Sequence, residues 1–144
     1  MIVGIINKSK HADPTYKTQG SSGLDVRANI NHTITIQPLE RIAVPTGIYV
    51  ELPENTEFQI RPRSGLALKQ GVTVLNTPGT IDADYRGEIL IIMINLSETE
   101  VKINDGDRIA QMVFAKVDKI NWQNIKELTK TERGEGGFGS TGKN

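Results

Sequence analysis

The segment from Gly79 to Gly87 concentrates side chains of the kind used in acid–base chemistry. It holds two carboxylates, Asp82 and Asp84, together with the phenol of Tyr85 and the guanidinium of Arg86. In an extended chain alternate side chains share a face, so both carboxylates would lie opposite the phenol. Two interpretations are open: a chemical site built on clustered carboxylates, or a surface turn capped by Asp82 in which Asp84 pairs with Arg86.

A second cluster, in residues 61–66, is suited to binding an anion. Arg61 and Arg63 supply positive charge, Ser64 supplies a hydroxyl, and Gly65 leaves its backbone amide accessible. Such donors commonly hold phosphate or carboxylate groups. The alternative is a solvated turn in which serine and glycine are present for backbone reasons.

The C-terminal residues 133–144 differ from the rest of the chain, because five of the 14 glycines fall in this short stretch. Phe138 could supply a stacking surface and Arg133 a phosphate contact, although composition alone favours a disordered terminus. Residues 137–143 match the pattern GxxxxGK, but Asn144 stands where a phosphate loop needs Ser or Thr, and no strand closely precedes the match. We therefore expect a flexible tail and no P-loop.

Composition limits the classes of function open to this 144-residue chain, whose length predicts one domain. Its 17 basic and 17 acidic residues balance, which argues against nucleic-acid or membrane partners, since both select a basic face. With no cysteine and only two histidines, a thiolate metal site and cysteine or histidine nucleophiles are not expected. The longest aliphatic run, residues 89–94, is too short for a membrane helix. We expect a soluble, intracellular protein of the cytoplasm.

The elements that must position these groups are predicted to be short strands. Residues typical of strands, separated by Pro, Gly or Asn turns, occur at 33–36, 41–44, 47–52, 58–61, 72–75, 88–95, 101–103 and 110–117. Many short strands in one domain predict an all-β fold, a β-sandwich or jelly-roll-like barrel. The only helical period is a weak one in residues 121–128.

The predicted strand at residues 88–95 differs from the others, because residues 89–94 are apolar on both faces. Such a strand is covered on both sides, either within a thick core or by another subunit. In a small domain this pattern favours an oligomer.

Five segments, in this order, resemble the five motifs of the homotrimeric dUTP diphosphatase (dUTPase) family. They are SSGLDVRA at 21–28, RPRSGLALK at 61–69, NTPGTIDADYRGE at 76–88, GDRIAQMVF at 106–114 and RGEGGFGSTG at 133–142. One such motif would be weak evidence, but five at these spacings leave little room for chance. The resemblance extends over most of the chain.

The resemblance implies a jelly-roll-like β-barrel over residues 1–132, a flexible lid over residues 133–144, and assembly as a trimer. It also implies hydrolysis of dUTP to dUMP and pyrophosphate with Mg²⁺, which keeps uracil out of DNA and supplies dUMP for dTMP synthesis. Each of three sites would lie between subunits. One subunit would give the third motif, a neighbour the first, second and fourth motifs, and the third subunit its tail.

By position, the resemblance also implies roles for single residues. Asp82 resembles the general base that deprotonates the attacking water, and Gln111 the residue that helps to hold that water. Asp25 resembles the acid that reaches Mg²⁺ through its water shell, and Tyr85 the tyrosine that packs under the deoxyribose and excludes a 2′-hydroxyl. The other implied substrate-binding residues are Arg63, Ser64, Gly65, Asn76, Ile81, Arg133, Phe138, Gly139, Ser140 and Thr141.

Among these, Ser64, the Gly65 amide and Arg63 would bind phosphate oxygens, and Asn76 with the backbone of residues 76–85 would bind the uracil edge. In the tail, Phe138 would stack on uracil and Arg133 would meet the γ-phosphate. Two alternatives stay open: a dCTP deaminase-like or bifunctional enzyme of the same fold, and a non-catalytic trimer that uses the nucleotide to control binding to a regulatory partner.

Overall fold

A computed structural model describes residues 1–137 and confirms the all-β prediction. The described residues form eleven strands and one short helix. The elements are β1 (Gly4–Asn7), β2 (Gly23–Arg27), β3 (Ile34–Ile36), β4 (Arg41–Pro45), β5 (Ile48–Glu51), β6 (Thr56–Arg61), α1 (Ser64–Gln70), β7 (Val72–Val74), β8 (Gly79–Ile81), β9 (Leu90–Asn95), β10 (Val101–Ile103) and β11 (Arg108–Lys116). No helix in this part of the chain has the length or the apolar character to span a bilayer.

The strands pair antiparallel in four sheets that together form a jelly-roll-like fold. The largest sheet has the order β2-β11-β6-β8, and a three-stranded sheet has the order β4-β9-β7. Two strand pairs, β1-β5 and β10-β3, complete the fold. Neighbours in a sheet are therefore mostly distant in sequence, which brings turns from separate segments of the chain to common edges of the sheets.

The core lies between the sheets and is built from alternate residues of the strands. In β6, for example, Thr56, Phe58 and Ile60 are buried, while the residues between them are not. Removing each such aliphatic or aromatic side chain from water contributes about 1.5–3 kcal/mol. Phe58 and Phe114 add an edge-to-face contact, with ring centroids 5.8 Å apart.

Strand β9 has one face in the core and one face outside it. Ile91 and Met93 are fully buried, whereas Leu90 is 46% exposed and Ile92 is 37% exposed. Of the two alternatives, cover of both faces by a thick core is thus excluded, because core residues lie against one face of the sheet only. Cover of the outer face by another subunit stays a prediction.

The helix lies elsewhere than the sequence pattern indicated. Residues 121–128 form no helix and are exposed, Trp122 to 89% and Leu128 to 85%. Eight residues with no surface to pack against cannot offset the cost of starting a helix. Helix α1 instead occupies Ser64–Gln70, where Leu, Ala, Lys and Gln all favour helix formation.

Candidate active site

Five of the predicted functional residues line one polar cavity of about 320 Å³. Strand β2 supplies Asp25, β11 supplies Gln111, and the connection from β6 into α1 supplies Arg63, Ser64 and Gly65. The remaining lining residues are Lys17, Ser21, Ser22, Gly23 and Arg108. We call this space the polar cavity.

The register of the four-stranded sheet explains why these residues meet. Gln111 of β11 lies opposite Asp25 on one side and opposite Arg61 on the other. Because β6 ends at Arg61, the next three residues turn over the end of the sheet and start α1 beside the Gln111 side chain. Its amide donates a hydrogen bond to the carbonyl oxygen of Pro62 at 3.0 Å.

The electrostatics of the polar cavity favour an anion. The Asp25 carboxylate accepts hydrogen bonds from Arg63 at 3.0 Å and from Arg108 at 2.9 Å. Arg63 also donates to the carbonyl oxygen of Arg108, at 3.0 Å. Two guanidinium groups and Lys17 thus face a single carboxylate, which leaves the cavity with net positive charge for phosphate oxygens.

The start of α1 adds backbone donors to the same cavity. Ser64 and Gly65 are its first residues and are exposed. The first N–H groups of any helix have no partner within the helix, and here they border the polar cavity. The predicted anion site at residues 61–66 is therefore a strand-to-helix connection rather than a simple turn.

A second cavity, of about 280 Å³, is largely apolar and collects the residues of the third motif. We call it the apolar cavity. It is built by β4, β6, β8, β9, the connection between β7 and β8, and the loop after β8. Its lining residues are Ala43, Ile60, Asn76, Gly79, Thr80, Ile81, Asp82, Tyr85, Glu88, Leu90 and Ile92. Asn76, Ile81, Asp82 and Tyr85, predicted from the sequence, thus lie together.

Asp82 follows the last residue of β8 and begins a turn. The backbone N–H of Tyr85 donates to the carbonyl oxygen of Asp82 at 3.2 Å, and the Tyr85 hydroxyl donates to the carbonyl oxygen of Glu88 at 3.0 Å. The alternative in which Asp84 pairs with Arg86 is not what the structure shows: Arg86 lies 3.7 Å from a carboxylate oxygen of Glu51. Asp82 is exposed and lines the apolar cavity.

One chain does not bring Asp82 and Gln111 together. They line different cavities. In the largest sheet, β6 lies between β11 and β8; Gln111 is opposite Arg61 of β6, whereas Asp82 follows Ile81, which is opposite Phe58. Asp82 and Gln111 are therefore two strands apart across the sheet and four residues apart along it. With a strand spacing of about 4.8 Å and a rise of about 3.3 Å per residue, their α-carbons are about 16 Å apart.

The described part of the tail, residues 133–137, lines neither cavity. Arg133 donates to the carbonyl oxygen of Gly136 at 2.8 Å, within its own turn. Phe138, Gly139, Ser140 and Thr141, all predicted to bind substrate, lie outside the described residues. The division into a domain at residues 1–132 and a lid at residues 133–144 stays a prediction.

The polar cavity suits a magnesium ion that arrives with phosphate groups. Asp25 is its only carboxylate, and the described residues contain no cluster of three His, Cys, Asp or Glu side chains. Mg²⁺ keeps several of its waters and is commonly bound by one or two carboxylates together with substrate phosphates. Asp25 fits that arrangement, and no metal cage made by the protein alone is needed.

Arg108 is the clearest case of a cavity residue that the sequence did not predict. It stands in the fourth motif, but it received no role, because its direction depends on an irregularity in strand pairing. The register of β11 on β2 shifts between Arg108 and Ala110. Such a bulge re-aims a side chain and leaves no reliable trace in one sequence. Glu88, which lines the apolar cavity, was not predicted either, because its partners Thr46 and Gly47 are 42 and 41 residues away in sequence.

Fold and cavities together define a jelly-roll-like domain with a cationic cavity and a separate apolar cavity. The dUTPase family model matches residues 9–142. A deoxyuridine 5′-triphosphate nucleotidohydrolase of Cytophaga hutchinsonii is 55% identical over 141 residues, covering 98% of this chain and 92% of that protein. The equivalent protein of Hydrogenobaculum sp. is 60% identical over 129 residues, covering 90% and 89%. The chain belongs to the dUTPase family.

Among solved structures, the dUTPase of Staphylococcus bacteriophage 80alpha with dUPNHPP superposes with a TM-score of 0.89. It is 25% identical and covers 98% of both chains. The dUTPase of phage phi11 of S. aureus, described with a structural Mg(II) ion, has a TM-score of 0.80 at 20% identity and covers 90% of this chain and all of that one. The jelly-roll-like prediction is confirmed by this likeness in fold.

Proposed function

We propose that this protein is a dUTP diphosphatase that hydrolyses dUTP to dUMP and pyrophosphate. The observation that carries the proposal is the sorting of the motif residues into two cavities of complementary chemistry. The polar cavity offers positive charge and backbone donors for a triphosphate, and the apolar cavity offers a hairpin and an aromatic ring for a nucleoside. Such an enzyme would act where deoxynucleotides are used, so a cytoplasmic location is part of the proposal.

In this proposal, the polar cavity binds the triphosphate. Arg63 and Arg108 neutralise phosphate charge, and Ser64 with the Gly65 amide donates to phosphate oxygens. Donors fixed before the reaction stabilise the charge that builds up on oxygen in the transition state. The Asp25 carboxylate keeps both guanidinium groups in place and is the residue that would hold Mg²⁺, through the water shell of the ion. Mg²⁺ would neutralise further charge on the phosphate oxygens.

The nucleoside binds in the apolar cavity. Asn76 and the backbone around Ile81 bind the uracil edge, and the Tyr85 ring packs against the deoxyribose. A narrow hairpin excludes the methyl group of thymine by overlap, and mismatched donors and acceptors exclude cytosine. From the tail, Arg133, Phe138, Gly139, Ser140 and Thr141 are proposed to close over the bound nucleotide and exclude water from the bulk.

Asp82 is proposed as the general base and Gln111 as the residue that positions the attacking water. A base must lie within hydrogen-bond reach of the proton that it removes, and about 16 Å separates the two residues in one chain. We therefore propose a homotrimer, in which the apolar cavity of one subunit faces the polar cavity of another. The exposed outer face of β9, which borders the apolar cavity, supports this arrangement.

Pyrophosphate release from dUTP, UTP, dTTP and dCTP, each with Mg²⁺ and with excess chelator, tests the proposal. We expect release from dUTP alone, and loss of most activity with chelator. Binding of dUTP without turnover would contradict an enzymatic role and support a regulatory one. Release of ammonia from dCTP would instead indicate a deaminase.

A further inference from the structure

The Tyr85 ring lies directly on the backbone of Gly87. A β-carbon added to Gly87 would lie 2.5 Å from Cζ of the ring and 3.0 Å from Cε2, and closer still to the hydroxyl oxygen. Real β-carbons do not approach other atoms so closely. Any side chain at residue 87 must therefore move the ring, and only glycine permits its present position.

The tip of the same ring is held by the next residue. The Tyr85 hydroxyl donates to the carbonyl oxygen of Glu88 at 3.0 Å. Gly87 and Glu88 thus both contact the hydroxyl end of the ring and fix its position, although 43% of the residue is exposed. Its position thus depends on where the backbone of residues 87 and 88 is fixed.

The Glu88 side chain fixes that backbone against the connection between β4 and β5. One carboxylate oxygen accepts the N–H groups of Thr46 at 3.1 Å and Gly47 at 2.7 Å. The fully buried Thr46 hydroxyl donates to the carbonyl oxygen of Ile89 at 2.6 Å, and the Ile89 N–H donates to Ile48 at 2.9 Å. Hydrogen bonds from backbone donors to a charged acceptor are among the stronger ones in proteins.

We propose that Gly87 and Glu88 are positioning residues that hold the Tyr85 ring against the sugar and thereby set the preference for a deoxyribonucleotide over a ribonucleotide. This inference rests on the proposed function, since Tyr85 must face the sugar of dUTP. To exclude the 2′-hydroxyl of a ribonucleotide, the side chain that packs against the sugar must keep its position. A ring that can move away would admit the 2′-hydroxyl, and a ring whose hydroxyl end is fixed by Gly87 and Glu88 does not.

The test compares Gly87→Ala with Gly20→Ala, because an added β-carbon at Gly20 has no atom within 4 Å. We expect the ratio of kcat/KM for dUTP to that for UTP to fall at least about tenfold in Gly87→Ala and to stay unchanged in Gly20→Ala. The chain has three tyrosines, so ¹⁹F NMR of 3-fluorotyrosine-labelled protein, assigned with Tyr85→Phe, reports the ring directly. The Tyr85 resonance should shift only in Gly87→Ala; an unshifted resonance or an unchanged ratio overturns the proposal.

Glu88 is tested with a conservative pair of variants. Glu88→Gln keeps an oxygen acceptor for the Thr46 and Gly47 N–H groups, so its dUTP/UTP ratio should stay near that of the original protein. Glu88→Ala removes the acceptor, and its ratio should fall as in Gly87→Ala. An unchanged ratio in Glu88→Ala would show that the side chain has no positioning role. If Glu88→Ala does not fold by circular dichroism, a normal ratio in Gly87→Ala still suffices to overturn the inference.

The same measurements separate failure of this inference from failure of the proposed function. A wild-type chain that releases no pyrophosphate from dUTP contradicts the proposed function. If the wild-type chain hydrolyses dUTP selectively and Gly87→Ala keeps the same dUTP/UTP ratio of kcat/KM, the proposed function is supported and the positioning role is overturned.

Discussion

The side chain of Gln111 lies directly over the backbone of Gly23 on the neighbouring strand. A β-carbon at Gly23 would be 3.1 Å from the amide carbon of Gln111 and 3.2 Å from its β-carbon, and closest to the amide oxygen. The Gln111 nitrogen meanwhile donates to Pro62 at 3.0 Å. Gln111 is thus held between two elements, and glycine at residue 23 is what allows its amide to lie there.

Gly23→Ala should therefore disturb catalysis through Gln111. The added methyl group would displace the amide that is proposed to hold the attacking water, so we expect kcat to fall about tenfold or more with a smaller change in KM. Steady-state kinetics with dUTP check this result. Gly20→Ala is the matched control and should keep full activity; a Gly23→Ala protein of normal kcat would contradict the proposed role of Gln111.

Asp82→Asn should separate binding from turnover. The amide keeps the size of the side chain but cannot accept the proton of the water, so we expect kcat to fall by about 10² to 10⁴. The polar cavity is unchanged, and the dissociation constant for dUTP should stay within about threefold of the original value. Isothermal titration with a non-hydrolysable dUTP analogue measures it. Asp84→Asn, on the same loop, serves as the control; a parallel loss of binding would exclude Asp82 as a base.

Asp25→Asn should change the dependence on magnesium. It removes the only carboxylate of the polar cavity and the charged partner of Arg63 and Arg108. An amide holds the waters of Mg²⁺ less strongly than a carboxylate does, so the Mg²⁺ concentration that gives half of maximal activity should rise by about tenfold. Titration of activity with Mg²⁺ tests this expectation. An unchanged half-saturating concentration would show that Asp25 only orders the two arginines.

Much of the fold could be predicted from sequence because strand signals are local. Period-two patterns bounded by turn residues placed Val101–Ile103 with the bounds that the structure gives, and Arg41–Pro45 within one residue. Burial on a single face of β9 could not be predicted, since the residues alone do not say what covers Leu90 and Ile92. The helix at Ser64–Gln70 was missed because its arginine- and serine-rich start is also typical of a turn.

The site was predictable to the extent that it resembles a known family. Its motifs identified Asp25, Gln111 and Tyr85, and the structure places each of them in a cavity. The contacts that hold these side chains were not predictable, because they join strands far apart in sequence. Gln111 depends on Gly23, and Tyr85 depends on a backbone that Glu88 ties to the β4–β5 connection.

Truncation before Arg133 should lower activity and leave the fold intact. Residues 117–137 contain no strand or helix, and the hydrogen bonds of residues 133–136 stay within residues 131–136. We expect an unchanged far-ultraviolet circular dichroism spectrum, an unchanged subunit number by light scattering, and a fall in kcat/KM of at least about 100-fold, since the proposed lid is lost. A monomeric or unfolded product would show that the tail is structural.

Acid should destabilise the protein partly through Asp105. Its carboxylate accepts the backbone N–H of Ile30 at 3.0 Å and lies 3.1 Å from Nε2 of His11. The Ile30 hydrogen bond, followed by that of His11, lowers the pKa of Asp105 below its ordinary value of 3.8, and nearby Lys10 acts in the same direction. Below that value the unfolded chain binds the proton more readily, so the contribution of Asp105 to stability is complete above pH 3.8 and is lost as the pH falls through the folded pKa.

Asp105→Asn should therefore be less sensitive to acid than the original protein. At about pH 7 its unfolding midpoint is expected at a lower urea concentration than that of the original protein. Between about pH 6 and about pH 3, the midpoint of the variant should fall by less than the midpoint of the original protein. Urea titrations at one protein concentration measure both effects, because the stability of an oligomer depends on concentration. The exposed Asp118→Asn is the control and should follow the original protein at every pH. A parallel loss of midpoint in Asp105→Asn and the original chain would show that the lowered pKa of Asp105 does not govern acid stability.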